Sequence, residues 1–152
     1  MNYWLMKSEP DECSIEDALA APKRMTPWTG VRNYHARNFM RDAMRVGDGV
    51  LFYHSSCAEP GIAGLAEIAS AAYPDPTQFD RKSPYHDPKS ARAAPRWSSV
   101  QVRALKKTRL MLVNEMRLHA PLRKMWALRP GNRLSITPVT AAEWRFICRA
   151  LS

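Results

Sequence analysis

The order of apolar and polar residues in the first third of the chain predicts one strand followed by two helices. The run YWLMK, Tyr3–Lys7, is short, apolar and aromatic, as is typical of a buried strand. Ser14 stands where it can cap a helix that begins in SIEDALAA and that Pro22 would stop. The segment NYHARNFMRDAM predicts an amphipathic helix, because its apolar residues recur at helical spacing: Ala36, Phe39, Met40 and Ala43.

The remainder of the chain predicts further strands and a docked C-terminal helix. The runs that predict strands are Val50–Ser55, Gly61–Tyr73, Trp97–Leu105 and Arg133–Val139. LVNEMRLHAPLRKM predicts a helix that breaks at Pro121, and Thr140 with Glu143 forms a capping box before a last amphipathic helix. About five strands interrupted by helices, without regular βαβ alternation, predict an α+β fold with a curled, mostly antiparallel sheet. The 152 residues fit one domain, 1–152.

The charge of the chain favours a polyanionic partner. There are 23 Lys and Arg against 14 Asp and Glu, a net charge of +9. Residues 1–80 hold 7 basic and 11 acidic residues, whereas residues 81–109 hold 9 basic residues and one acid. A basic segment on one face would attract a phosphate backbone. Charge alone is equally compatible with a solvated basic surface.

Cysteine usage and the N-terminus bear on the compartment. Cys13, Cys57 and Cys148 are far apart and form no C-x-x-C pair, which indicates neither a disulfide framework nor a zinc site. The N-terminus lacks the basic segment and cleavage site of a signal peptide, and no run of 18 apolar residues occurs. We expect a cytoplasmic monomer with no membrane partner.

The sequence contains no convincing catalytic or metal-binding pattern. In FYHSSC, His54 shares a strand face only with Ser56, and that pair lacks a third group to orient the base. The four histidines show no metal-ligand spacing, and the glycines match no phosphate-binding motif. We therefore expect no catalytic residues, no metal and no cofactor.

Aromatic and planar hydrogen-bonding residues are abundant, and they suit a nucleobase. Bases are recognised by stacking on aromatic faces together with hydrogen bonds to their edges. The segment Tyr73–Trp97 holds five of the twelve prolines together with four aromatic residues, which predicts an ordered loop packed on the body. Long ordered loops of this kind are often binding loops.

Six motifs follow one another in the order, and nearly the wording, of one known family. They are YWLMKSEP, TPWTGVRNYHARNF, GDGVLFYHSSCAEPGIAGLAEI, AYPDPTQFDRKSPYHDPKS, PRWSSVQV and RLSITPVTAAEW. From Tyr3 to about Trp144 the chain resembles the EVE domain family. The resemblance implies a PUA-like fold, a compact and mostly antiparallel β-barrel of five to six strands flanked by helices. It also implies a non-catalytic reader that accepts a modified base of DNA or RNA in an aromatic-lined pocket.

Carried over by motif, the resemblance makes Trp28 and Trp97 candidate pocket walls. It gives Ser8, Asn33, Asn38 and Ser55 as candidates to read base edges, and Arg32 or Arg37 to hold phosphate. The aromatic and amide inventory adds Tyr34, Tyr53 and Gln78 to the candidate base pocket. The basic region adds Arg81, Lys82 and Arg96 as candidate phosphate contacts.

Three alternatives remain open from the residues. In the first, Arg32 and Asn33 only cap the helix of GVRNYHARNF and brace it against the proline-rich loop. A second is a hydrolytic enzyme of the PUA or ASCH type acting on modified nucleosides or RNA, in which Lys7, Glu9 or His54 would act. The third is a protein-interaction module.

Overall fold

The computed structural model describes residues 1–152 and has an α+β fold, as the sequence predicts. The strands are β1 (Tyr3–Ser8), β2 (Met25–Pro27), β3 (Gly49–His54), β4 (Gly61–Ile68), β5 (Tyr73–Pro74), β6 (Ser98–Ser99), β7 (Gln101–Leu112) and β8 (Ile136–Val139). The helices are α1 (Ile15–Ala20), α2 (Tyr34–Asn38), α3 (Val113–Leu118) and α4 (Ala141–Ala150), and a π-helical turn, Phe39–Ala43, continues α2. No helix is long and apolar enough to cross a membrane.

Six strands form one mixed sheet in the order β2-β7-β4-β3-β1-β8, and β5 pairs with β6 separately. All neighbours in the large sheet are antiparallel except β1 and β3, which run parallel with Ser8 opposite His54. The carboxyl ends of these two strands therefore meet at one edge of the sheet. That edge carries the site described below.

Both faces of the sheet are buried, which explains why the strands read as continuous apolar runs. Trp4 and Met6 point to a core shared with Ile15 of α1 and Met40 of the π-helical turn. Leu5, between them, points to a second core shared with α3 and α4. Because successive strand residues face opposite sides, one short strand supplies both layers.

Several strands differ from their predicted extent, and one strand was not predicted. The strand predicted to span Gly61–Tyr73 ends at Ile68, and Tyr73 begins the separate strand β5. β7 continues to Leu112, seven residues beyond its predicted end, with register shifts against β4 in between. β2 was not predicted, because three residues are too few to show a periodic pattern.

The predicted helix caps are present. Ser14 and Asp17 cap α1 reciprocally, and Thr140 and Glu143 do the same for α4. The Thr140 Oγ1 accepts the Glu143 N–H at 3.1 Å, and the Thr140 N–H donates to the Glu143 carboxylate at 2.9 Å. The second cap fastens the helix that covers the second core.

Thr140→Ala should lower the free energy of unfolding by about 1 kcal/mol, because it removes the acceptor for a free N–H of α4. Urea denaturation measures the change. Thr140→Ser keeps the hydroxyl and should stay close to the wild type. Equal losses in the two variants would contradict a capping role.

Candidate functional site

A cavity of about 540 Å³ opens where the parallel strands β1 and β3 end. Its lining comes from five places: Lys7–Glu9 with Glu12 and Cys13 at and after β1, Thr26–Arg32 at and after β2, the Ser55–Ser56 turn after β3, Tyr85, and Arg133 with Ser135 before β8. The volume lies within the range of small-molecule sites, about 300–1,000 Å³. Most of its lining residues are polar.

Trp28 forms an aromatic wall of the cavity and is fixed from behind. Its backbone N–H donates to the Val100 carbonyl at 2.8 Å, and its ring meets Phe52 edge-on with centroids 5.5 Å apart. The residue is only 7% exposed. Its orientation is therefore set by the sheet before any ligand arrives.

Gly30 lets a second aromatic ring approach the backbone. It has a φ of +82°, in the left-handed region, and a Cβ there would lie 2.8 Å from the Tyr85 ring. The Tyr85 hydroxyl donates to the Glu12 carboxylate, with oxygen–oxygen distances of 2.9 and 3.1 Å. Burial and the neighbouring Glu12 raise the pKa of Tyr85. The loop carrying Tyr85 is thus joined to the segment after β1.

A buried carboxylate holds this loop in place. Asp75 is fully buried and accepts the Gly30 N–H at 2.8 Å, the Thr77 N–H at 2.8 Å and the Thr77 hydroxyl at 2.6 Å. It also pairs with the Arg32 guanidinium at 3.0 Å. Four donors therefore converge on one charge, as a buried carboxylate requires.

Arg32 has no donor left for a ligand. A guanidinium has five N–H donors. In Arg32 they make five contacts: Nε with the Tyr85 carbonyl, Nη1 with the Val31 carbonyl and Asp75, and Nη2 with the Thr77 hydroxyl and the Tyr85 carbonyl. The side chain braces the proline-rich loop against the cavity wall.

The proline-rich segment is held by side-chain amide hydrogen bonds. Gln78 is fully buried; its amide nitrogen donates to the Asp75 and Trp97 carbonyls, and its amide oxygen accepts from Ser90 and the Trp97 N–H. The Trp97 indole donates to Asp87 at 2.8 Å. All four hydrogen bonds that the Gln78 amide can form are present, so this residue builds the loop.

The structure brings together only some of the residues that the sequence nominated. Ser8, Trp28, Ser55 and Arg32 line the cavity. The other candidates for the base pocket and for phosphate lie outside its lining: Asn33, Tyr34, Asn38, Tyr53, Gln78, Trp97, Arg37, Arg81, Lys82 and Arg96.

Several of these outlying residues have visible partners elsewhere. The side-chain amide oxygen Oδ1 of Asn33 accepts the His35 and Ala36 N–H groups and so caps α2. Tyr34 stacks on Trp97 with centroids 4.7 Å apart.

The remaining candidates lie in the second core or on the surface. Tyr53 belongs to the second core. Arg37 donates to the side-chain amide oxygen of Asn38 and to the backbone carbonyl of Arg96. Arg96 lies 3.9 Å from Asp87, while Arg81 and Lys82 are exposed on the proline-rich loop.

Other cavity residues were not nominated as binding residues from the sequence. They include Lys7, Thr29, Arg133 and Ser135. The pairing of β8 with β1 brings the last two to the site, through a 2.8 Å bond from the Lys7 N–H to the Ser135 carbonyl. Burial lowers the pKa of Lys7. Strand register was the missing signal, and the sequence does not reveal it.

His54 has a structural partner. Its Nε2 accepts the Ile15 N–H at the start of α1, at 3.1 Å, and burial lowers its pKa against a smaller opposing effect of Glu16. A nitrogen that accepts this bond cannot carry a proton at the same time. In addition, no group of three or more His, Cys, Asp or Glu residues is arranged to hold a metal ion.

The family model of the EVE domain matches residues 2–150. The chain belongs to the EVE domain family. Human thymocyte nuclear protein 1 is 44% identical over 164 residues, a match that spans 96% of this chain and 72% of the relative. The expected family is therefore confirmed across nearly the whole chain.

Solved structures of two proteins with similar sequence share the fold closely. Human THYN1 protein in complex with 5-methylcytosine-containing DNA has a TM-score of 0.94 at 42% identity, over 100% of this chain and 98% of that chain. A Pseudomonas putida protein has a TM-score of 0.94 at 47% identity, over 99% of both chains. An ASCH protein of Zymomonas mobilis, at 8% identity and a TM-score of 0.58, shows likeness of fold alone. The PUA-like fold is thus confirmed.

Asp75→Asn should lower the free energy of unfolding by about 3 kcal/mol, because it removes the charge that pairs with Arg32 in a buried site. Urea denaturation measures this loss. The control is Asp42→Asn, since Asp42 is exposed and pairs with Arg41 on the surface, and it should leave the stability unchanged. Similar effects of the two variants would show that the Asp75 charge is not what holds the loop.

The stability of the wild type should fall on acidification because of His54. The folded-state pKa lies below the unfolded value near 6.5, so the unfolded chain binds the proton more readily. The stabilisation is complete above pH 6.5 and is lost as the pH falls towards the lowered pKa. His54→Gln keeps an acceptor for Ile15 and does not titrate, so its stability should fall less between pH 7.5 and 5.5. Identical pH profiles of the unfolding free energy would refute this.

Proposed function

We propose that this EVE domain binds nucleic acid that carries a modified base and accepts that base in the cavity beside Trp28. The observation that carries the proposal is the cavity itself, in which a fixed aromatic wall faces hydroxyl and charged groups that have no partner within the protein. The crystal structure of human THYN1 with 5-methylcytosine-containing DNA supports the proposal by homology, at 42% identity. A modified cytosine in DNA is therefore our first candidate ligand.

The cavity has the chemistry that a base requires. Stacking on an aromatic ring contributes about 1–3 kcal/mol per base, and Trp28 offers a ring whose position is already fixed. The Thr29 and Ser55 hydroxyls line the cavity and make no hydrogen bond within the protein, so they are available to base edges. A base can reach such a cavity only from a single strand or after rotating out of a duplex.

The charge distribution supplies a path for the backbone. Arg81 and Lys82 are exposed on the loop that also carries Tyr85, and neither forms an ion pair within the protein. We assign backbone phosphate contacts to these two residues rather than to Arg32, whose donors are occupied by the protein. Such contacts would make affinity fall as salt rises.

The proposed module binds without chemistry. His54, one of the three candidate catalytic groups, accepts the Ile15 N–H through Nε2, so that nitrogen is not available as a general base.

Trp28→Ala should weaken binding to a 5-methylcytosine oligonucleotide by at least tenfold and reduce its preference over the unmodified oligonucleotide, because the stacking surface is lost. Fluorescence polarisation near physiological salt measures both affinities, and circular dichroism confirms that the variant is folded. Tyr34→Ala is the matched control, since Tyr34 is an exposed aromatic residue outside the cavity.

A base site at Trp28 would be contradicted if the wild type bound modified and unmodified oligonucleotides with equal affinity. It would also be contradicted if Tyr34→Ala lowered the affinity as much as Trp28→Ala. Turnover of the modified oligonucleotide on prolonged incubation would instead indicate an enzyme.

A further inference from the structure

The cavity contains five charged residues, and two of them are occupied by the protein itself. They are Lys7, Glu9, Glu12, Arg32 and Arg133. Glu12 accepts the Tyr85 hydroxyl, and all donors of Arg32 have partners. Two cations, Lys7 and Arg133, and one carboxylate, Glu9, therefore remain available to a ligand.

Lys7 is the least solvated of these three. It is half-buried, whereas Glu9 and Arg133 are exposed. Its ammonium makes no hydrogen bond or ion pair, and it lies over the Tyr53 ring with Nζ 5.8 Å from the ring centroid. Burial accordingly lowers the pKa of Lys7. A half-buried cation that has no anionic partner is stabilised by an anion that enters with the ligand.

Two further donor groups without a partner line the same cavity. Ser135 is tied to Lys7 by the backbone bond of 2.8 Å, and its hydroxyl has no partner in the protein. Arg133, two residues earlier, lines the rim of the same cavity and also makes no hydrogen bond. One ammonium, one hydroxyl and one guanidinium can together satisfy several lone pairs of a single oxyanion.

We propose that Lys7, Ser135 and Arg133 form an anion subsite inside the cavity, which takes one oxyanion of the bound nucleotide. The proposal rests on the proposed function, since the ligand enters with its base. Two groups supply the same chemistry: the phosphate next to the inserted base, or a carboxylate carried by the base itself. The subsite is separate from Arg81 and Lys82, which lie outside the cavity and would contact flanking phosphates.

The test compares wild type, Lys7→Met, Arg133→Gln and the control Lys124→Met by fluorescence polarisation. Met keeps the aliphatic stem of lysine, and Lys124 is an exposed lysine outside the cavity. Three otherwise identical oligonucleotides are used: one with 5-methylcytosine, one with 5-carboxylcytosine, and one with 5-methylcytosine between neutral methylphosphonate linkages. Lys7→Met should weaken binding about tenfold to each oligonucleotide that carries the anion bound by the subsite, as expected for a lost hydrogen bond to a charged group, and Lys124→Met should not.

The oligonucleotides separate the two sources of the anion. If the anion is the phosphate, Lys7→Met weakens binding to the first two oligonucleotides equally. The slope of log affinity against log salt concentration then falls in magnitude by about one, and the affinity for the methylphosphonate oligonucleotide does not change. If it is a base carboxylate, wild type prefers 5-carboxylcytosine and Lys7→Met removes only that preference. Either result supports the subsite. The subsite would be overturned if both Lys7→Met and Arg133→Gln bound all three oligonucleotides with the same affinity as the wild type.

A second measurement does not depend on base recognition. In protein with ¹³Cε-labelled lysine, the Lys7 resonance should shift on titration with inorganic phosphate at constant ionic strength, while that of Lys124 should not. A stationary Lys7 resonance would overturn the subsite even where the modified base is still preferred. A shifting Lys7 resonance in a protein that ignores base modification would instead uphold the subsite and defeat the proposed function.

Discussion

The site depends on the burial of one carboxylate, Asp75. A charge without solvent contact is tolerated only if hydrogen-bond donors surround it, and four donors do so here. Those donors come from the connection between β2 and α2 and from the turn that opens the proline-rich loop. Satisfying the charge therefore fixes two distant segments against each other. The aromatic walls of the cavity, Trp28 and Tyr85, lie on these segments.

The rest of the cavity follows from the one parallel pair in the sheet. Because β1 and β3 run in the same direction, the residues that follow them emerge at the same edge, and Ser8 lies opposite His54 there. Antiparallel pairing of β8 with β1 brings Ser135 to that edge from the opposite direction. Both sheet faces are occupied by core, so the open edge is where a concave and polar surface can form.

The sequence predicted the elements whose signals are local. The apolar run of β1 and the reciprocal caps at Ser14 and Thr140 each lie within a few residues, and each has its predicted structure. β2 and the far half of β7 were missed because they exist through pairing with distant strands. Propensity over a short window does not contain that information.

The same distinction governs the site. GVRNYHARNF stands out in the sequence for its hydrogen-bonding capacity, yet Asn33 caps α2 and Arg32 uses all its donors on the protein. The hydrogen-bonding groups of these two residues are used to build the cavity wall. This is the bracing role that the sequence left open as an alternative. The partnerless groups, such as Lys7 and Ser135, come from strand ends that look ordinary in sequence. A side chain becomes available to a ligand when the fold buries it without a partner, and a dense local motif is often dense because its members serve each other.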